Sequence, residues 1–166
     1  YWNQHDRTHA VVRDGWWWTG DVGFRDNFGR FYQIDRDVDT VNTRHGPVYG
    51  LPVEEEALKL PFVQEAVLAA RPASGADEAV LLLQMAPGHG GSPANLLAAL
   101  QASCSWAQHL SEVIILPQGT TPPRGLTGKV LKREIREQLR QQPAAGDAQL
   151  QPPAGKTAAA EELADA

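Results

Sequence analysis

Hydrophobic and polar positions follow two patterns in the central part of the chain. Apolar runs of strand length occur at Ala66–Ala70, Ala79–Met85 and Val113–Leu116. A helix is predicted from about Pro52, because proline suits the first helical turn and the acidic residues at 54–56 favour its positive end. The alternation of these segments predicts a sheet of about three strands packed by helices.

Two further helices are predicted downstream of the second apolar run. Ser92-Pro93 is a typical helix start, and Leu96, Leu100 and Cys104 follow it at helical spacing. The last helix has its apolar face at Val130, Leu131, Ile135 and Leu139, with basic residues elsewhere on its surface. Before the first helix, Val38–Thr43 and Pro47–Tyr49 predict a short hairpin that turns at His45-Gly46.

The first 35 residues have a different texture, rich in tryptophan, glycine and aspartate. Bulky aromatic residues alternate with turn formers from Gly15 to Phe24, and Phe31–Ile34 is predicted as a strand. Such a hairpin-rich segment is too small to bury its own aromatic surface, so it is expected to dock on something else.

These patterns predict an α+β fold in three parts. Residues 1–35 are the β-rich end of a larger domain, and residues 36–141 are a small domain of sheet, helices and a short hairpin. Residues 142–166, dominated by Ala, Gln, Pro, Gly and Glu, have too little bulky apolar surface to offset their ordering entropy. They are predicted to be a flexible tail or linker.

Composition excludes several classes of function. The net charge of -5 and pI of about 5.5 lack the basic footprint of a nucleic-acid-binding domain. A single cysteine, Cys104, excludes an internal disulfide and a cysteine metal cluster, and no metal site is predicted. No apolar run approaches the roughly 18 residues of a membrane span. Because the chain begins without methionine, it is expected to be a fragment of a longer protein. With no signal region, that protein is expected to be cytoplasmic.

The loop from Thr121 to Lys129 is the best candidate for chemistry. Pro122 and Pro123 stiffen its entry, and Gly125 and Gly128 permit backbone conformations that other residues avoid. Lys129 is expected at a helix N-terminus, where free backbone N–H groups favour anions. A lysine held there suits a phosphate or a developing oxyanion.

Three segments together resemble the adenylate-forming superfamily, which includes acyl-CoA synthetases, luciferases and peptide-synthetase adenylation domains. The run GWWWTGDVGFRDNFGRFYQIDR resembles the region where the family's large N-terminal domain meets its small C-terminal one. PPRGLTGKVLKREIR resembles the family's closing segment, and VEEEALKLPFVQEAVLAA resembles the helix and strand that begin the small domain. The three occur in the family's order over about residues 1–141, and the resemblance is closest to the acyl-CoA synthetases.

The resemblance implies a two-step reaction and a role for three residues. A carboxylic acid attacks the α-phosphate of ATP to give an acyl-adenylate and pyrophosphate, and the thiol of coenzyme A or of an acyl carrier protein then attacks the adenylate. Asp21 would accept hydrogen bonds from both ribose hydroxyls of ATP, and Arg36 would donate to the ribose. Lys129 would be the catalytic residue of the first step. Mg²⁺ would be held mainly by a domain upstream, without which the fragment is expected to be inactive.

Two positions depart from the family pattern. The pivot of the domain rotation is usually Asp or Lys, but here it is Val38, flanked by Asp37 and Asp39. The family's glycine in the loop of the thiol step is replaced by His45, and Gly46 comes one residue later. Adenylation is therefore better supported than thioester formation. Two alternatives stay open: a ligase that loads a carrier protein in an assembly line, and a non-catalytic homologue.

Overall fold

The computed structural model describes residues 2–141. The tail predicted at residues 142–166 lies outside the described residues. Among residues 2–141, no helix has the length and apolar character that a bilayer crossing requires.

The amino-terminal segment, residues 2–36, contains one helix and two separate hairpins. Helix α1 (His5–Val11), which the sequence pattern did not predict, leads into β1 (Val12–Arg13) and β2 (Trp16–Trp17). Asp14 and Gly15 form the turn between these strands with φ of 50° and 79°, the conformation that favours an Asp-Gly pair in a two-residue hairpin. Strands β3 (Asp21–Arg25) and β4 (Phe31–Arg36) form the second hairpin.

A short 3₁₀ turn at Asp37–Asp39 connects the amino-terminal segment to a third hairpin, made of β5 (Val41–Thr43) and β6 (Gly46–Val48). The predicted hairpin is present, but its first strand begins at Val41 rather than at Val38. The reason is local, since the Thr40 amide donates to the Arg36 carbonyl at 3.0 Å and closes a turn over the intervening residues.

The central sheet has the three predicted strands, β7 (Val63–Arg71), β8 (Glu78–Met85) and β9 (Leu110–Ile115). β7 and β8 are antiparallel neighbours, and β9 runs parallel to β8 on its other side. The parallel pair needs a crossover, which helix α3 (Pro93–Ser103) and a 3₁₀ turn at Ser105–Ala107 provide.

Helices cover both faces of this sheet. Helix α2 (Gly50–Leu58) and α3 pack on one face, and α4 (Lys132–Gln141) packs on the other, where Ile135 and Leu139 are fully buried. The predicted α+β architecture is therefore confirmed. We call residues 41–141 the sheet-and-helix region.

Candidate functional site

Asp21 and Arg36 lie side by side because the hairpin register pairs them. Asp21 begins β3, Arg36 ends β4, and the two are cross-strand partners. The Arg36 Nε lies 3.2 Å from the Asp21 Oδ1, and the Gln33 side-chain amide donates to the same oxygen at 3.1 Å. A surface depression of about 250 Å³ adjoins Asp21. The structure thus brings together the two residues for which the family resemblance implied contacts with a ribose.

The Thr19-Gly20-Asp21 turn holds this pair in place through hydrogen bonds. The Arg36 guanidinium donates to the Thr19 carbonyl at 3.2 Å, and the Asp21 amide donates to the Thr19 hydroxyl at 3.1 Å. Gly20 has φ of 75°, a conformation that other residues rarely adopt. The side chains of Arg36 and Asp21 remain 48% and 39% exposed, so the pair contributes little to stability and stays accessible to a polar ligand.

Lys129 lies in a narrow turn rather than at the helix N-terminus where it was expected. Arg124 and Val130 form a β-bridge, the Gly125 amide donates to the Lys129 carbonyl at 2.9 Å, and α4 begins only at Lys132. The bridge uses residues that would otherwise form the first helical turn. The Lys129 side chain is exposed, and among residues 2–141 its amine forms no ion pair.

The described contacts do not join Lys129 to the Asp21–Arg36 pair. The turn that carries Lys129 is attached to β7, where the Arg124 guanidinium forms an ion pair with Glu65. The chain therefore presents a carboxylate–guanidinium pair on the amino-terminal segment and an amine on the sheet-and-helix region. A ligand that used all three groups would have to contact both regions.

The predicted pivot lies between those two regions. Val38 is exposed within the 3₁₀ turn, and it lines a cavity of about 340 Å³ together with Lys132, Arg133 and Arg136 of α4. Asp37 and Asp39 flank it in the same turn. The turn is thus an exposed connection with a cavity behind it.

The β5–β6 hairpin turns at Arg44 and His45, one residue earlier than the predicted His45-Gly46, because Gly46 pairs with Thr43 and begins β6. The His45 ring stacks on the His109 ring with centroids 5.8 Å apart. Gly46 has φ of 128°, and its carbonyl accepts a hydrogen bond from the Thr43 hydroxyl at 2.7 Å. The loop assigned to the thiol step is therefore a compact turn whose histidine contacts the segment before β9.

A cluster that the sequence did not indicate surrounds Gly50, the first residue of α2. The Gly50 amide donates to the Asp35 carboxylate at 2.5 Å, and Glu54 accepts from the Lys132 amine at 3.0 Å. A Cβ on Gly50 would lie 2.9 Å from the Lys132 Nζ, so a larger residue there would displace the end of the flexible Lys132 side chain. These contacts join residues up to 78 positions apart, and no local pattern signals them.

Acidic partners neutralise much of the basic face of α4. Lys132 pairs with Glu54, Arg136 with Asp77 and Arg140 with Glu137. Among residues 2–141, no group of three or more His, Cys, Asp or Glu side chains is placed to hold a metal ion.

Comparison with known proteins relates the chain to a class of ligases. No protein-family profile matches the chain. It is 41% identical to the long-chain-fatty-acid–CoA ligase of Bacillus subtilis over 48% of its own length and 14% of that protein. It is 30% identical to the 3-aminoavenalumate diazotase of a Streptomyces species, over 84% of this chain and 28% of that protein. It is also 30% identical to the fatty acid–[acyl-carrier-protein] ligase ScoC of Streptomyces coeruleorubidus, over 84% of this chain and 26% of that protein.

Solved structures give the same relationship. The ATP-bound crystal structure of MatB from Rhodopseudomonas palustris superposes with a TM-score of 0.72 and 26% identity, covering 85% of this chain and 28% of that one. The structure of MenE from Bacillus subtilis in complex with ATP and magnesium ion shares the fold with a TM-score of 0.69, at 24% identity over 82% of this chain and 27% of that one. The chain therefore spans between about one seventh and just over a quarter of the length of these relatives.

Proposed function

We propose that this chain, which belongs to the adenylate-forming superfamily and corresponds to its C-terminal portion, is the lid of an ATP-dependent acyl-CoA synthetase. The sequence predicted a boundary between residues 35 and 36; because Arg36 is the last residue of β4, we place the proposed boundary after it, with the lid following and the end of a larger amino-terminal domain preceding. The observation that carries the proposal is the accessible Asp21–Arg36 pair, which lies across the exposed turn at Val38 from a region that presents the amine of Lys129.

In the first half-reaction a carboxylate oxygen attacks the α-phosphorus of ATP and pyrophosphate leaves. The two oxygens of Asp21 can accept hydrogen bonds from both hydroxyls of a ribose, and the Arg36 guanidinium can donate to the same sugar. The Lys129 amine would approach the charge that develops between the α-phosphate and the carboxylate when the lid closes. A cation aimed at such charge supplies roughly 10²–10³ in rate.

In the second half-reaction a thiol sulfur attacks the acyl carbonyl carbon, AMP leaves, and the thiol proton passes to solvent. Between the two steps the lid would rotate about the turn at Val38. Lys129 would then leave the adenylate, and the loop that contains His45 and Gly46 would approach it. ATP and coenzyme A are the expected co-substrates. Mg²⁺ would accompany ATP and be held by groups upstream of this chain.

Replacement of Lys129 tests the assignment directly. In the complete protein, Lys129→Ala is expected to lower carboxylate-dependent pyrophosphate release by roughly 10²–10³, because the cation at the developing charge is lost. Transfer of a preformed acyl-adenylate to the thiol should be almost unchanged. Lys59→Ala, which removes another exposed lysine, is the control and should leave both rates intact. Normal pyrophosphate release by Lys129→Ala would refute the assignment.

The isolated chain offers a second test. We expect it to release no pyrophosphate, because the acyl pocket and most phosphate contacts would belong to the upstream domain. Two or three charge-assisted contacts of about 1.5–3 kcal/mol each can barely offset the roughly 4–15 kcal/mol cost of association. Measurable ATP turnover by the chain alone would contradict this expectation.

A ligase that loads an acyl carrier protein is the second candidate. The similarity to ScoC favours it, since that relative is named for a carrier-protein acceptor. The Ala- and Pro-rich residues 142–166 have the composition of a tether. Incubation of the complete protein with a radiolabelled fatty acid, ATP and either acceptor distinguishes the two. Label on the carrier protein rather than on coenzyme A would favour the second candidate, and bound nucleotide without any product would favour a non-catalytic homologue.

A further inference from the structure

The turn that carries Lys129 is closed by its own backbone. Besides the Arg124–Val130 bridge, the Leu131 amide donates to the Pro123 carbonyl at 2.8 Å. Gly128 precedes Lys129 with φ of 78°, in the left-handed region that glycine tolerates. The path of the turn is therefore defined, but these bonds are all internal to it and do not orient it on the sheet.

The Arg124 guanidinium supplies the connection to the sheet. One terminal nitrogen donates to the Gly128 carbonyl at 2.6 Å, and the other forms an ion pair with the Glu65 carboxylate on β7. Glu65 is 59 positions away in sequence. The planar guanidinium thus joins the strand to the peptide group that links Gly128 and Lys129. Because its N–H donors have a fixed geometry, it can orient that peptide group relative to β7 as well as attract the carboxylate.

The ion pair between Arg124 and Glu65 is expected to contribute little to the stability of the fold, so stability alone does not account for it. Arg124 and Glu65 side chains are 43% and 20% exposed, and partly exposed pairs of this kind contribute at most about 1 kcal/mol to folding. The reaction rate is far more sensitive to the position of a catalytic amine, since a displacement of about 1 Å can cost 10² in rate. Because the lysine side chain is flexible, the positions that its amine can occupy depend on the position of its backbone.

We propose that Glu65 and Arg124 are positioning residues for the adenylation half-reaction, which hold the Gly128–Lys129 peptide so that the Lys129 amine is presented to the reacting phosphate. The inference rests on the proposed catalytic role of Lys129. Glu65 acts only through Arg124, and Arg124 acts through the Gly128 carbonyl. Neither side chain needs to contact the substrate.

The test uses the two half-reactions of the complete protein. Arg124→Ala is expected to lower the rate constant for pyrophosphate release by about 10–100-fold, and Glu65→Gln by about 3–10-fold, because the turn loses its orientation on β7. The KM for ATP should change by less than about threefold, and transfer from a preformed adenylate should be unchanged. Arg124→Lys should give an intermediate rate, since one ammonium cannot bond both partners in the same plane.

Asp77→Asn is a matched control for Glu65→Gln. Asp77 pairs with Arg136 across the same sequence separation of 59 residues, and these side chains are 21% and 46% exposed. The control should have a similar thermal midpoint to Glu65→Gln but retain the normal rate of pyrophosphate release. An equal loss of both half-reactions in Glu65→Gln, or a loss of rate matched by the control, would overturn the proposal.

The double variant separates this inference from the proposed function. In a Lys129→Ala background, Glu65→Gln should cause no further loss of pyrophosphate release, because its effect passes through Lys129. An additive loss would contradict a positioning role. If Lys129→Ala itself has no effect, the proposed function fails. If Lys129→Ala is strongly impaired while Arg124→Ala and Glu65→Gln are normal, only the positioning role fails.

Discussion

The amino-terminal segment and the sheet-and-helix region form secondary structure equally well but bury very different amounts of surface. None of residues 2–36 is buried, although eight of them are exposed aromatic side chains: Trp2, Trp16, Trp17, Trp18, Phe24, Phe28, Phe31 and Tyr32. The sheet-and-helix region has buried apolar clusters on both faces of its sheet. Hydrogen-bonded hairpins alone are therefore not evidence of an independent folding unit.

The difference has a functional meaning. Exposed aromatic surface of this extent is typical of an interface, and two-stranded hairpins are at best marginally stable in water. The amino-terminal segment carries Asp21 and Arg36, so the pair proposed to hold the ribose lies on the segment with the exposed aromatic surface. Lys129 lies on the region with its own core. This division agrees with the proposal that the sheet-and-helix region is a lid attached to a larger domain.

The largest expected contrast comes from paired truncations in the two regions. Leu81→Ala, at a fully buried position of β8, should lower the free energy of unfolding of the chain by about 2–5 kcal/mol, through lost burial and a cavity. Phe31→Ala, at a side chain that is 81% exposed, should change it by less than about 0.5 kcal/mol. Urea denaturation followed by circular dichroism measures both.

Leu126→Ala is the matched control, because it makes the same chemical change at a fully exposed leucine of the sheet-and-helix region. It should behave like Phe31→Ala. If Phe31→Ala destabilised the isolated chain as much as Leu81→Ala, the amino-terminal segment would have a core of its own and the comparison would be wrong.

A smaller effect is expected at the contact that joins the two regions. Asp35 lies in β4, yet its carboxylate accepts the hydrogen bond from the first amide of α2, at Gly50. Asp35→Ala should cost about 0.5–2 kcal/mol, the usual loss when a helix N-terminus loses its acceptor, and Asp35→Asn should cost less. Faster hydrogen exchange at the Gly50 amide would locate the effect. Unchanged exchange there would show that the contact does not connect the regions.

The smallest effect concerns pH and is confined to the amino-terminal segment. Partial desolvation alone would raise the pKa of Asp26, but hydrogen bonds from Arg30, Phe28 and Tyr32 outweigh it and hold the pKa below the ordinary value of 3.8. Its stabilisation of the β3–β4 turn is therefore complete above that value and is lost as the pH falls through the lowered pKa.

Amide chemical shifts of Phe28 and Arg30, measured by NMR between neutral and acidic pH, should follow this titration while β8 amides do not. Asp26→Asn should abolish the response. A response that spread equally to β8 would mean that the two regions unfold together.

Periodicity located the elements of the sheet-and-helix region but not all their ends. The strand predicted at Ala79–Met85 is present as β8, with one extra residue at its start. The helix predicted from Pro52 begins at Gly50, because the distant Asp35 carboxylate accepts the Gly50 amide and allows an earlier start. Helix α1 escaped prediction because none of its residues is buried, and so it has no apolar face to detect.

The candidate site divides in the same way. The sequence singled out Lys129 through its glycine-flanked turn, and it singled out Asp21 and Arg36 through the resemblance of their segments to the adenylate-forming superfamily. Only the tertiary structure decided that β3–β4 register pairs Asp21 with Arg36, that a bridge removes Lys129 from the helix end, and that Glu65 reaches its turn through Arg124. Such contacts join residues far apart in sequence, and they depend on strand register and helix packing, which no local pattern encodes.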